Sequence, residues 1–139
     1  MGTWGTGHFD NDIAADFAGG LDDAAPDERV GLLRAALERA ARRPEFLDDD
    51  EGVVAVAAAA LVAAQCPGGT AVTTAYGPKE PIPPLPAELR ASAVAALGRV
   101  LAEESELAES WDETESGPAW RQGVRALRDV LESARPKGL

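Results

Sequence analysis

Asp48-Asp49-Asp50-Glu51-Gly52-Val53-Val54-Ala55-Val56-Ala57-Ala58-Ala59-Ala60-Leu61-Val62-Ala63-Ala64 is the stretch on which the fold turns. Its acidic opening suits the start of a helix, where free amides and the positive end of the dipole favour carboxylates. From Val53 to Ala64 no side chain is polar, and a helix that is apolar all round has to be covered all round. The run is too short to cross a bilayer, which takes about 20 apolar residues. We therefore expect it at the centre of a helical domain, as a strut that the other helices surround. A homodimer interface, here or along the Leu97 stripe, is the alternative use of such apolar surface.

Helical patterns lie on both sides of this strut. Upstream, a short helix is expected after Asp10, capped by the Asp10 carboxylate and ending at Gly19-Gly20, with Ile13 and Phe17 on its buried face. A second should open near Pro26 and end by Arg43, before Pro44, with Val30, Leu33 and Leu37 inward and Arg34, Glu38 and Arg42 on a wet side. Downstream, residues 65–86 contain Cys66-Pro67-Gly68-Gly69 and then Pro81, Pro83, Pro84 and Pro86, a composition that removes amide donors and disfavours helix. A long Pro/Gly-rich loop is expected there, with Val72 to Tyr76 as a short extended piece at most. A fourth helix should run from about Ala87 toward Ser105, which either continues it or caps a separate short helix. The last should open at Gly117-Pro118 and carry Trp120, Val124, Leu127, Val130 and Leu131 inward, ending before Pro136. The expected class is all-α: one domain over residues 1–139, a compact bundle of about five helices.

Composition narrows the function. The 139 residues carry 24 Asp and Glu against 13 Lys and Arg, a formal charge of -11. Nucleic acid and anionic lipid would be repelled, so neither is an expected partner. Aromatic residues make up only 5% of the chain, so close packing of alanine-rich helices must supply much of the core. A single cysteine, Cys66, and the lack of a basic n-region followed by an apolar h-region point to a reducing, cytoplasmic setting without membrane insertion. The opening Met1-Gly2-Thr3-Trp4-Gly5-Thr6 fits the loose myristoylation pattern, but no polybasic second signal follows it.

The densest local pattern lies in the first twenty residues, where Trp4, Gly5, Gly7, His8, Phe9, Asp10, Asp12 and Asp16 crowd together. As a metal site, His8, Asp10, Asp12 and Asp16 would offer hard or borderline ligands, with Asp12 and Asp16 on one helix face. The calcium-loop template fails, since position six counted from Asp10 is Ala15 and position twelve is Leu21. As architecture, the glycines allow a tight path, Trp4 and Phe9 pack on the bundle and the aspartates cap or accept N–H groups. The structural reading is preferred, and no cofactor is expected. Gly2-Thr3-Trp4-Gly5-Thr6-Gly7 lacks the lysine and the preceding strand of a phosphate loop. His8 is the only imidazole, and nothing in the spacing brings it to Cys66 as a catalytic pair.

The most negative stretch, Glu103 to Glu115, contains Glu106, Glu109, Trp111 and Asp112 and offers a candidate interaction surface for a basic protein partner. Arg121, Arg125 and Arg128 follow at helical spacing and can match part of that charge within the domain. Trp111 and Trp120 are expected as core anchors.

Trp4-Gly5-Thr6-Gly7, Phe9-Asp10-Asn11-Asp12, Ala15 and Asp16 resemble the opening of the bacterial domain-of-unknown-function family DUF4259. The alanine-rich Val56 to Ala64 helix, Ser105-Glu106-Leu107, Trp111 and Trp120 are similar to its middle and end. Ser110 departs from the pattern, where a larger apolar residue is expected before Trp111. The resemblance implies a small, mainly helical cytoplasmic protein without an established reaction. The preferred function is a noncatalytic interaction module, of an immunity-like or regulatory kind. A metal-dependent hydrolytic or metal-binding protein using the His8/Asp cluster is the first alternative, and a homodimeric structural protein the second.

Overall fold

In a computed structural model of the chain, the described residues are 7–43, 46–69, 72, 76–80 and 82–133. They form α1 (Asp12–Asp23), α2 (Pro26–Ala41), α3 (Asp49–Ala64), α4 (Glu88–Leu101), α5 (Glu106–Asp112) and α6 (Gly117–Ser133), with no strand among them. The class is all-α, as the periodicity indicated. No helix among the described residues is long and apolar enough to cross a membrane.

The α3 helix is the central strut. Its N-cap is Asp48, whose carboxylate accepts the Glu51 amide at 3.2 Å. Residues 55–63 are buried without a break, and α3 alone packs against all five other helices. Alanine makes this possible, because its small side chain lets neighbouring backbones approach on every side. The bulk missing from alanine is supplied by the surrounding helices through Leu33, Leu37, Leu89, Leu97, Val100, Val124 and Leu131, all fully buried. Both apolar surfaces considered for a homodimer, Val53–Ala64 and the Leu97 stripe, are thus covered largely by this chain's own helices.

Several boundaries differ from the sequence-based expectation. Asn11, rather than Asp10, caps α1 through a 2.7 Å bond from the Ala14 amide to its Oδ1. The helix also continues through Gly19-Gly20 to Asp23. A terminating glycine must adopt a left-handed conformation, and these two stay helical and face open space, while fully buried Leu21 gives the extra turn its hold. Arg29 of α2 is buried at 7% exposure and donates Nε to the Leu21 carbonyl at 2.8 Å, closing the end of α1 with a cation. Val30 and Val130, like Ile13 and Phe17, are half-buried and pack against the core from its edge.

The fourth helical segment splits, giving six helices among the described residues instead of about five. Glu104 sits at φ +63°, a left-handed conformation that a continuing helix cannot contain. Arg99 braces the break, donating to the carbonyls of Arg43, Glu103 and Glu104 at 3.2, 3.3 and 3.4 Å. Ser105 then caps α5 by accepting the Ala108 amide. Beside it runs Leu47, fully buried in an isolated parallel bridge: its amide donates to Glu104 O at 2.8 Å and its carbonyl accepts from the Glu106 amide at 2.9 Å. This pairing brings the beginnings of α3 and α5 side by side.

The later part of the Pro/Gly-rich connection is held by two side chains. Gln65 donates to Pro83 O and accepts from the Leu85 amide, each at 2.9 Å. Asp22 accepts the amides of Lys79 and Glu80, each with a contact at 2.9 Å, and these bonds keep its carboxyl below the usual range. Of the expected extended piece, Val72 packs against the core, and residues 73–75 lie outside the described residues.

Candidate functional site

The Leu47–Ser105 bridge has a chemical consequence at the start of α3. Glu106 lies there as the first residue of α5, and its Oε1 accepts the Asp49 amide at 2.8 Å. Asp49, itself half-buried, is consequently held near Glu106, Asp50 and Asp48. Burial first, and these three negative neighbours after it, push its carboxyl above the usual aspartate range. The adjacent Glu51 is neutralised by Arg43, which donates Nε to Glu51 Oε1 at 2.9 Å.

The N-terminal segment closes over this region. Gly7 and Asp10 form a tight reciprocal turn, with the Asp10 amide bonded to Gly7 O at 3.1 Å and the Gly7 amide to Asp10 Oδ2 at 3.0 Å. A Cβ on Gly7 would stand 2.6 Å from Asp10 Oδ2, so a larger residue would have to displace the carboxylate that closes the turn. Phe9, 3% exposed, roots the turn in the core. The turn lays His8 near Gly123 of α6, where His8 Nδ1 is buried and has no hydrogen-bond partner among the described residues. Burial lowers the His8 pKa, and the Asp10 charge opposes that shift only in part.

Between these parts lies a pocket of about 140 Å³. His8, Asn11 and Asp12 line it from the N-terminal side, Asp49 and Val53 from α3, and Trp111 and Trp120 from α5 and α6. The two indoles are stacked, with centroids 6.0 Å apart and planes within 9°. The turn between α5 and α6 is tight, and a Cβ on Gly117 would stand 2.5 Å from Trp111 O.

The structure therefore divides the sequence-derived cluster. His8 and Asp12 reach one pocket with Gly7, whereas Asp10 spends its carboxylate on Gly7, and Asp16 is exposed and absent from the lining. Trp4 and Gly5 lie outside the described residues. Among the described residues, no three His, Cys, Asp or Glu side chains converge as a metal would require. Cys66 follows the far end of α3 and contacts Val62 O at 3.4 Å, ten residues and roughly 15 Å along the axis beyond the last lining residue, Val56. His8 and Cys66 do not form a pair.

The candidate acidic surface divides as well. Glu106 faces α3 as an amide acceptor, and Trp111 faces the pocket. Glu109 and Asp112 instead border an open groove of about 440 Å³ together with Glu103 and Glu104. Arg121, its one lining cation among the described residues, is already engaged: it grips both Asp112 oxygens at 2.7 Å and donates to Leu101 O at 3.3 Å. That fork holds the Asp112 carboxyl below its ordinary pKa.

Asp49 was missed by sequence reasoning. The available signal was redundancy, since one aspartate suffices as a cap and three precede the apolar run. The contribution of Asn11 was signalled by its place next to the first helical turn.

The model of the family described as Domain of unknown function (DUF4259) matches residues 2–123, and the chain belongs to that family. No curated protein and no solved structure gave a match.

Proposed function

From membership of a family whose description assigns no activity, we propose that this chain is a noncatalytic interaction module that docks a basic protein partner along α5, in an immunity-like or regulatory role. The observation that carries this reading is the groove bordered by Glu103, Glu104, Glu109 and Asp112, where Arg121, the one lining cation among the described residues, is consumed by Asp112 and a backbone carbonyl. Glu103, Glu104 and Glu109 have no ion pair among the described residues, so their field is left for an approaching partner. The overall charge of -11 adds a long-range attraction of the same sign.

Capture from native-host extract tests the proposal. Wild type is expected to retain a specific basic protein at low salt, and to lose it at about 0.5 M salt, where the screening length falls below about 5 Å. The triple change Glu103→Lys, Glu104→Lys and Glu109→Lys should abolish retention while leaving the fold intact, since all three side chains are exposed. Retention unaffected by the triple change, or no specific protein, would refute it.

A further inference from the structure

The pocket between His8, Asp12, Asp49 and the indole pair is separate from the groove, though α5 contributes to both through adjacent faces: Leu107 and Trp111 on one side, Ala108, Glu109 and Asp112 on the next. Three independent features meet in it. Asp12 and Asp49 have no ion pair among the described residues, while the nearby cation Arg43 goes to Glu51. His8 Nδ1 is buried without a partner there, a state in which a polar atom forfeits a hydrogen bond that water would have given it. Trp111 is half-buried and stacked on buried Trp120, so an aromatic wall stands beside the carboxylates.

An anion is unsuited to walls that carry two carboxylates. A bare metal ion would need three converging donors, which the described residues do not assemble. An organic cation fits the chemistry, and a planar one fits it better than a compact one. Guanidinium is planar, weakly hydrated, stacks on aromatic faces and forks onto carboxylates, whereas ammonium is a strongly hydrated point charge that loses more water on entry.

We propose that this pocket receives the guanidinium of an arginine on the basic partner, its N–H groups donating to Asp12 and Asp49, with Trp111 as the aromatic wall. This rests on the basic-partner reading and gives it an anchor residue. A buried arginine in an aromatic pocket, with near-neutral contacts around it, is a common source of interface affinity.

The test uses the full chain titrated with N-acetyl-arginine amide, followed through the indole N–H resonances of Trp111 and Trp120. A saturable shift is expected, with the uncharged citrulline analogue weaker by about tenfold or more, the loss of a charge-assisted contact. Asp49→Asn should weaken arginine binding about fivefold or more while remaining folded. The groove triple variant should bind the arginine amide as wild type does. Equal binding of citrulline, tighter binding of the lysine analogue, or no effect of Asp49→Asn would overturn the assignment. So would stoichiometric zinc or manganese binding that depends on Asp49, which would identify a metal site instead. If arginine fails while salt-sensitive capture by the groove persists, this pocket assignment falls and the docking proposal stands.

Discussion

The two ends of α3 differ in how completely they are finished. At the C-terminal end every polar feature described has a partner: Gln65 and Cys66 donate their amides back to Val62 and Ala63, Gly69 bonds to Cys66 O, and the Gln65 side chain ties down the proline-rich strap. At the N-terminal end Asp49 is held among like charges, a buried imidazole nitrogen lacks a partner among the described residues, and a pocket stands open. Folding alone favours the first arrangement. Groups left poorly satisfied, with perturbed acidity, are more common where a protein meets a ligand. The proposed arginine pocket therefore lies at the beginning of α3, and the other end is structural.

Substitutions should separate the two ends. The largest effect is expected away from both, in the layer that fills around the alanines: Leu97→Ala should cost about 2–5 kcal/mol in denaturant unfolding, because Leu97 is fully buried between close-packed helices. At the sealed end, Gly69→Ala would drive a Cβ to 1.8 Å from Ala63 O, a backbone atom that cannot step aside cheaply. We expect a loss of about 2–3 kcal/mol, and an unchanged midpoint would show that this turn is looser than described. Gln65→Ala should cost about 1 kcal/mol by releasing the strap, with faster amide exchange at Leu85 as the local readout.

Much of this architecture was legible in the sequence, and the reason is local. Val53 to Ala64 has no polar residue and Pro26, Gly117 and Pro118 stand at helix starts, so strut, class and most boundaries follow from short-range rules. The pocket was only half legible. His8 and Asp12 stood out by crowding and Trp111 and Trp120 by size, but their convergence depends on the Leu47 bridge to Ser105, a pairing across 58 positions that no periodicity announces. Arg29 was unreadable for a similar reason: it looks like surface charge on α2 until the Leu21 carbonyl arrives from another helix. The exchange of Asp10 for Asn11 as cap was a choice between adjacent residues of similar chemistry, decided by the turn that occupies Asp10 with Gly7.

The smallest effect has the most diagnostic sign. Asp49 binds its proton more tightly in the folded chain than in the unfolded one, so its own contribution to stability falls as pH rises from 3.8 through its raised pKa. Below that window the aspartate is protonated in both states and contributes nothing of this kind. The amide introduced by Asp49→Asn does not titrate, and Asp48, Asp50 and Glu106 around it would no longer face its charge. Thermal unfolding of wild type and Asp49→Asn, compared at pH 3 and pH 7, is the most direct test of an unfinished α3 N-terminus. The variant should melt higher at pH 7, with the advantage closing toward pH 3; a variant that melts lower at pH 7, or a gap that does not change with pH, would contradict it.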